Sequence, residues 1–245
     1  MLIITNRPEK YKEYSDAGGS VISNFVQYYS ADRIASEQDA KSFRDLVGTR
    51  SGACVIIGMG ASRKKLVGKN ISVPIFAINR AIVEFPQSEF WCAHDVEALT
   101  LVGPKVPTTA TLITYAVQCR TPSWDHVKHL KKVLYEIFTD PRRNTRRPLF
   151  WNETTFGPTI DLAIRMGFTK IYIAGVDNSV GSYVSEEYDH AELVRQHLFV
   201  QGRIKQMFDP FWVGAWNPTG AKLIDLSGDT YMPIESGDIT DICEV

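Results

Sequence analysis

The chain has 245 residues, 44% of them apolar and 22% charged, which is enough apolar material for a large core and too little charge for a disordered tail. A formal net charge of -1 supplies no global field to draw it to nucleic acid or an anionic membrane, although a local patch can still do so. No apolar run approaches the ~20 residues that span a bilayer.

Met1–Tyr14 is soon charged and lacks the apolar segment of a targeting signal. Cys54, Cys92, Cys119 and Cys243 are far apart and form no C-x-x-C pair, so all four read as free thiols of a reducing compartment, with the cytoplasm as the expected address.

In chain order, Leu2–Thr5 reads as a strand and Ala35–Leu46 has helical spacing. Ala53–Gly58 (ACVIIG) is a β-branched run ending in glycine, a buried strand, and Ser62–Val67 reads as a short basic helix. Val73–Asn79, Glu89–Asp95 and Thr111–Ala116 read as further strands. Ser123–Phe138 reads as an amphipathic helix, with Val127, Leu130, Val133, Leu134, Ile137 and Phe138 on one face. Asp140–Pro148 reads as a loop, and Pro158–Met166 as a helix with proline at its first position. Lys170–Gly175 is a strand, Asp189–Phe208 a long helix and Lys222–Leu226 a last strand. Alternating strands and helices predict one α/β domain over residues 1–245, built on a doubly wound, mostly parallel sheet. Its core lies in 53–230, and 1–50 form an N-terminal extension without an assigned role.

Ligands of such sheets bind beyond the carboxyl ends of the strands, where polar residues cluster in this sequence. Gly58-Met59-Gly60-Ala61-Ser62 follows the first core strand and reads either as a phosphate-approaching turn or as a plain strand-to-helix turn. Asn79-Arg80, His94-Asp95 and Gly175-Val176-Asp177-Asn178-Ser179 end other strands, where Asn or Asp can read a base edge or ribose hydroxyls, or simply form a turn. Thr154 and Thr155 open a helix and suit an anion, or ordinary capping.

Taken together, these residues resemble a known pattern. Gly58–Ser62 resembles a G-x-G-P-S nucleotide motif with Ala61 in the proline position; Ile78–Arg80 with Phe90–Asp95 resembles its next block. Thr154-Thr155, Met166–Phe168 and Ile171–Asp177, then Ala221–Asp229, resemble the rest. The pattern is shared by bacterial sialyltransferases that use CMP-sialic acid and by MptE-like pterin pyrophosphokinases, with related sequences in phage. The resemblance implies a Rossmann-like, GT-A-type transferase. In it Gly58, Gly60, Ser62, Asn79, Asp95, Thr154, Thr155, Asp177 and Tyr183 would bind the nucleotide, and a histidine after Asp177 would be the base. The segment after Asp177 is shorter than the pattern, so His190 and His197 both remain candidates, and Asp177 is expected to belong to the catalytic set with them.

His197 lies on the apolar stripe of the Asp189–Phe208 helix, a position that also suits a core residue, and His190 lies at its start. His94, beside Asp95, is a third candidate base, while His126 and His129 read as surface residues. No D-x-D, H-E-x-x-H or C-x-x-C occurs, so no metal or cofactor is expected, and Tyr183, Tyr188 or helix N–H groups would stabilise the leaving phosphate. Arg142, Arg143, Arg146 and Arg147, followed by Phe150 and Trp151, read as an acceptor or phosphate grip, or as a solvated loop. Arg63, Lys64, Lys65 and Lys69 form a second basic group that would meet donor phosphates or nothing.

The expected function is metal-independent transfer of a sugar from a nucleotide-sugar donor to an acceptor hydroxyl. The acceptor would be a glycan or, for a phage DNA-modification enzyme in the host cytoplasm, a hydroxymethylated base. The alternatives are an MptE-like ATP-dependent pyrophosphokinase and a non-catalytic nucleotide- or DNA-binding module. A homo-oligomer stays open.

Overall fold

The computed structural model describes residues 2–4, 20–22, 41–115, 118, 121–135, 137–138, 149–150, 154–177, 219–228 and 232–244. Apolar runs of three to five residues are too short for helices and become strands. In chain order the strands are β1 (Leu2–Ile4), β2 (Ser20–Ile22), β3 (Lys41–Ser42), β4 (Ala53–Ile57), β5 (Ile75–Ile78), β6 (Phe90–Cys92) and β7 (Thr111–Tyr115). They continue with β8 (Lys131–Tyr135), β9 (Ile137–Phe138), β10 (Leu149–Phe150), β11 (Lys170–Ala174), β12 (Lys222–Asp225) and β13 (Glu235–Ser236). Nine of them form one sheet in the order β13-β12-β11-β4-β5-β6-β7-β8-β3, and every pairing in it is parallel. β1 pairs with β2, and β9 with β10, as separate two-stranded parallel ribbons.

The sheet is buried on both faces, and side-chain alternation sorts its residues between two cores. Val55, Ile57, Ala77, Trp91, Leu112, Leu134 and Tyr172 point to one. Cys54, Ile56, Phe76, Cys92, Ile113, Val133 and Ile173 point to the other. Between β4 and β8 the connections lie on the first face: the 3-10 segment Ala61–Lys65, the helices Ala81–Glu84 and Val96–Leu101, and the 3-10 segment Pro122–Val127. The helix Phe156–Met166 covers the opposite face and leads into β11, on the other side of β4. Winding outward from β4 in both directions, with connections on opposite faces, makes the sheet doubly wound, as expected from the alternating pattern.

The second face has an aromatic centre. Phe76 stacks on Phe90 with ring centroids 4.5 Å apart and meets Phe168 edge-on at 5.9 Å. Gly167 ends the Phe156–Met166 helix with φ 109, and the turn returns its backbone to Ile164 and Ala163.

Several boundaries differ from the sequence-based expectation. The amphipathic helix over Ser123–Phe138 does not exist. Its place is taken by the 3-10 turn Pro122–Val127, the strand β8 and the backbone of β9. On β8, Val133 and Tyr135 face one core and Leu134 the other, a period of two that the spacing of these apolar residues satisfies as well as a helical one. The decisive factor is the open edge of β7, against which Lys131–Tyr135 makes a full ladder. His126 and His129 are therefore not on a long helix, though both are exposed; His129 Nε2 lies 3.2 Å from the Val106 carbonyl.

The helical reading of Ala35–Leu46 yields the strand β3 and the 3-10 turn Phe43–Leu46 over its described part. Pro158 is the third residue of its helix, which starts at Phe156. β5 begins at Ile75 because Pro74, which has no N–H, serves only as an acceptor for Val55. The loop Asp140–Pro148 and the helix Asp189–Phe208 lie outside the described residues.

At the centre of the sheet, Gly58 after β4 and Gly175 after β11 approach backbone to backbone. A Cβ on Gly58 would stand 2.5 Å from the Gly175 carbonyl oxygen, and one on Gly175 would overlap the Gly58 carbonyl. Gly175 also has φ +70. Alanine there should destabilise the chain by at least about 2 kcal/mol, strain and overlap combined. At Gly52, with φ +76 and no atom within 4 Å of an added Cβ, alanine should cost only about 1 kcal/mol. Urea denaturation of both variants measures the difference.

Candidate functional site at the carboxyl edge of the sheet

After β4 the chain runs in one direction through β5 to β8, and β11 later returns to the opposite side of β4. The carboxyl ends of β4 and β11 thus flank the topological switch point, the place where open α/β sheets leave a crevice for ligands. The tips of β4, β5, β6 and β11 carry Gly58–Ser62, Asn79, His94-Asp95 and Gly175–Asp177. All of these belong to the candidate site read from the sequence, and the fold gathers them into two groups.

The first group is a clasp between β4 and β11. Gly58 N donates to Ala174 O at 2.8 Å, and Gly60 N to Gly175 O at 2.6 Å. Asp177 accepts from Ser62 N at 2.6 Å and from the Ser62 hydroxyl, which in turn accepts from Gly175 N at 2.8 Å. Gly60 is needed because a Cβ would come within 2.7 Å of the Asp177 carboxylate. Three amides of the glycine turn are therefore committed within the chain, and the Asp177 carboxylate occupies the place at Ser62 N where a ligand phosphate was expected.

The second basic group also turns inward. Arg63 donates to the carbonyls of Met59 and Gly60 and pairs with Glu84, its Nη2 2.5 Å from Oε1. Lys65 Nζ donates to Ser227 O at 2.8 Å. Two of the four cations expected near donor phosphates thus brace turns. At the tip of β12 the buried Asp225 accepts from Ser227 N at 2.9 Å, Ser227 Oγ at 2.6 Å and Gly228 N at 3.1 Å. The Asp225-Leu226-Ser227 block of the sequence pattern is a self-closed turn.

The second group spans β5, β6, β7 and the start of the Phe156–Met166 helix. Asn79 has φ 50, the one described non-glycine residue at positive φ, a conformation that asparagine tolerates better than other side chains. Its carbonyl accepts from Trp91 Nε1 at 2.8 Å, and its Nδ2 donates to Asp95 Oδ2 at 3.3 Å. A carboxylate can only accept, which orients the amide and leaves Asn79 Oδ1 buried without a partner among the described residues. Asp95 Oδ1 lies 3.8 Å from His94 Nε2, and Thr155 Oγ1 lies 3.2 Å from that nitrogen. The His94 ring stacks on Tyr115 with centroids 4.4 Å apart and planes at 6°. Gln118 Nε2 donates to the His94 carbonyl at 2.5 Å. Thr154 Oγ1 accepts from Gly157 N at 3.4 Å, so the two threonines divide between capping the helix and meeting His94.

Burial lowers the proton affinity of His94 below its ordinary 6.5, with Asp95 pulling the other way, so the ring is neutral at pH 7. Burial pushes the Cys92 thiol up to about 12 and raises Cys54 further, so neither presents a thiolate. Cys54, Cys92 and Cys243 are free.

Trp91, Tyr115 and Gln118 are the residues sequence reasoning missed here as parts of the site, while Arg63, expected near donor phosphates, braces the glycine turn instead. Tyr115 stands one residue before the end of the expected strand Thr111–Ala116, and that polar position was the available signal; the others are visible only through contacts made in the fold. Tyr183, Tyr188, His190, His197, Arg142, Arg143, Arg146 and Arg147 lie outside the described residues. Among the described residues no three His, Cys, Asp or Glu side chains are grouped to hold a metal ion, and no helix is long and apolar enough to cross a membrane.

Compared with models of known families, with characterised proteins and with solved structures, the chain matches none.

Two measurements probe these groups. Keeping His94 neutral stabilises the fold fully above about pH 6.5 and progressively less as the pH falls through the lowered folded value. The melting temperature of His94→Gln should therefore fall less than the parent's between about pH 7.5 and pH 5.5. In the clasp, a double-mutant cycle with Ser62→Ala and Asp177→Ala should return a coupling of about 1.5–3 kcal/mol, the range for hydrogen bonds to a charged group.

Proposed function

We propose that the chain is a glycosyltransferase that binds a nucleotide-activated sugar across the carboxyl ends of β4, β5, β6 and β11. The observation that supports this reading most is the Asn79–Asp95–His94–Thr155 cluster beside the switch point. It combines a strained backbone at Asn79, a buried acceptor atom without a partner and a neutral imidazole. Such a cluster is polar, convergent and able to move a proton, the equipment an acceptor hydroxyl needs before it attacks an anomeric carbon.

Asn79 Oδ1 calls for a hydrogen-bond donor, which a base's exocyclic amine or a sugar hydroxyl supplies. Asp95, 56% exposed, can accept from a second hydroxyl. The clasp holds the turn after β4, so Asp177 would act on the nucleotide by fixing that backbone rather than by touching a phosphate. The sugar would pass to a hydroxyl of a glycan or of a hydroxymethylated DNA base. No metal takes part in the proposed reaction, in which hydrogen-bond donors neutralise the leaving phosphate.

A thermal-shift panel with CMP, CDP, UDP, GDP, ADP and ATP, with and without Mg²⁺, tests the reading. A ligand at 100 times its Kd stabilises by about 2.7 kcal/mol. A pyrimidine nucleotide that stabilises without Mg²⁺ is the expected result, and Asp177→Ala or Asn79→Ala should weaken it at least about tenfold, or 1.4 kcal/mol. A Mg²⁺-dependent shift with ATP alone would replace this reading with pyrophosphate transfer. No shift at all would remove the nucleotide from it.

A further inference from the structure

His94 has one committed ring nitrogen and one open one. Nε2 is placed 3.2 Å from Thr155 Oγ1 and 3.8 Å from Asp95 Oδ1. Nδ1 is buried and has no hydrogen-bond partner among the described residues. The ring itself is clamped, stacked on Tyr115 with its carbonyl held by Gln118 and only 8% of the side chain exposed. A phenylalanine would make the same stack without leaving a buried nitrogen unpaired, an arrangement that costs stability. The open nitrogen therefore points to a ligand and not to packing.

A neutral imidazole carries one N–H, and its location follows from the partners of each nitrogen. Asp95 can only accept, and Thr155 Oγ1 is able to accept, so both favour the proton on Nε2. Nδ1 is then a bare lone pair.

We propose that His94 is the proton acceptor of the transfer reaction, taking the acceptor hydroxyl's proton on Nδ1 while Asp95 and Thr155 keep the ring's other proton on Nε2. The assignment rests on the glycosyltransferase reading above and gives His94 the role for which His190 and His197 were the sequence-based candidates. In the step, the O–H bond of the acceptor breaks and its proton goes to Nδ1. The freed oxygen forms a bond to the anomeric carbon, and the bond from that carbon to the donor phosphate oxygen breaks, its electron pair leaving on the phosphate. The imidazolium beside Asp95 gives its Nδ1 proton to water after the products leave.

The titratable groups around the ring are Asp95 on its own segment, Tyr115 on β7, and Tyr135 on β8, which meets Tyr115 edge-on at 5.0 Å. Cys92, two residues upstream, stays a thiol. Thr155, from the helix start, is uncharged. Asp95 is thus the one carboxylate beside the ring among the described residues.

The test has two arms, both on the full chain. The first is the pair of ¹⁵N shifts of the His94 imidazole near pH 7, assigned by their loss in His94→Gln. A proton on Nε2 is expected, and a proton on Nδ1 overturns the proposal whatever the protein's activity. The second arm follows nucleotide release from CMP-sialic acid and UDP-glucose with water as acceptor. His94→Gln should lower kcat by about 10²–10⁴-fold, the usual share of a general base. It should leave donor Kd unchanged and remove the acidic limb of the pH profile, and imidazole should restore turnover to His94→Gly. Turnover that survives in His94→Gln overturns the assignment. If the parent chain binds no nucleotide at all, the functional reading fails instead, and the tautomer still decides whether Nδ1 is a proton acceptor.

Discussion

Two backbones meeting without side chains between them, Gly58 on the tip of β4 and Gly175 on the tip of β11, set the geometry on which the rest of the molecule depends. The contact lets the chain bring β11 back to the inner side of β4 after it has wound outward through β8. It is closed from both sides. Amides of the glycine turn reach β11, Asp177 reaches back to Ser62, and Arg63 holds the turn's outward carbonyls against Glu84. Because strands on either side of this seam are connected over opposite faces of the sheet, both faces are buried and only the carboxyl edge remains for chemistry.

Along that edge the polar residues divide their work by partner. Where a carboxylate finds backbone amides of its own chain, as Asp177 and Asp225 do, it closes a turn and is satisfied. Where polar groups face one another and are not saturated, as with Asn79, Asp95, His94 and Thr155, buried valences remain. Hydrogen-bond accounting thus separates two sets of residues that look alike in composition. One set holds β4 to β11, and the other is left with a donor or acceptor to offer a ligand.

The same accounting explains the electrostatics of His94. Burial and the Tyr115 stack favour the neutral ring, while Asp95 draws a proton to one side of it. A ring that stays neutral yet sits beside an accepting carboxylate can take up a proton briefly and release it again. Glycosyl transfer to a hydroxyl asks for that property, and so would any reaction that begins by deprotonating an alcohol.

Much of this was legible from the sequence because the local rules are strong. Short β-branched runs such as ACVII and KIYIA have no alternative to a buried strand, and the polar residues that follow them fall at one edge once the strands are parallel. Gly58, Asn79, His94, Asp95, Thr155 and Asp177 could be marked on those grounds before any coordinates. Partnership was another matter. Ser62 meets Asp177 across 115 residues and His94 meets Thr155 across 61, and no spacing rule reaches that far. Lys131–Tyr135 shows the limit most clearly, since its apolar residues satisfy a helical stripe and a strand alternation equally. The ladder offered by β7 decided between them. The sequence by itself determined the short apolar strands β4, β5, β6 and β11 and the polar residues that stand at their ends, because those follow from nearest-neighbour physics. Strand order, and with it which polar groups saturate one another and which stay open, was decided only by the tertiary structure, because it depends on groups that the chain brings together from afar.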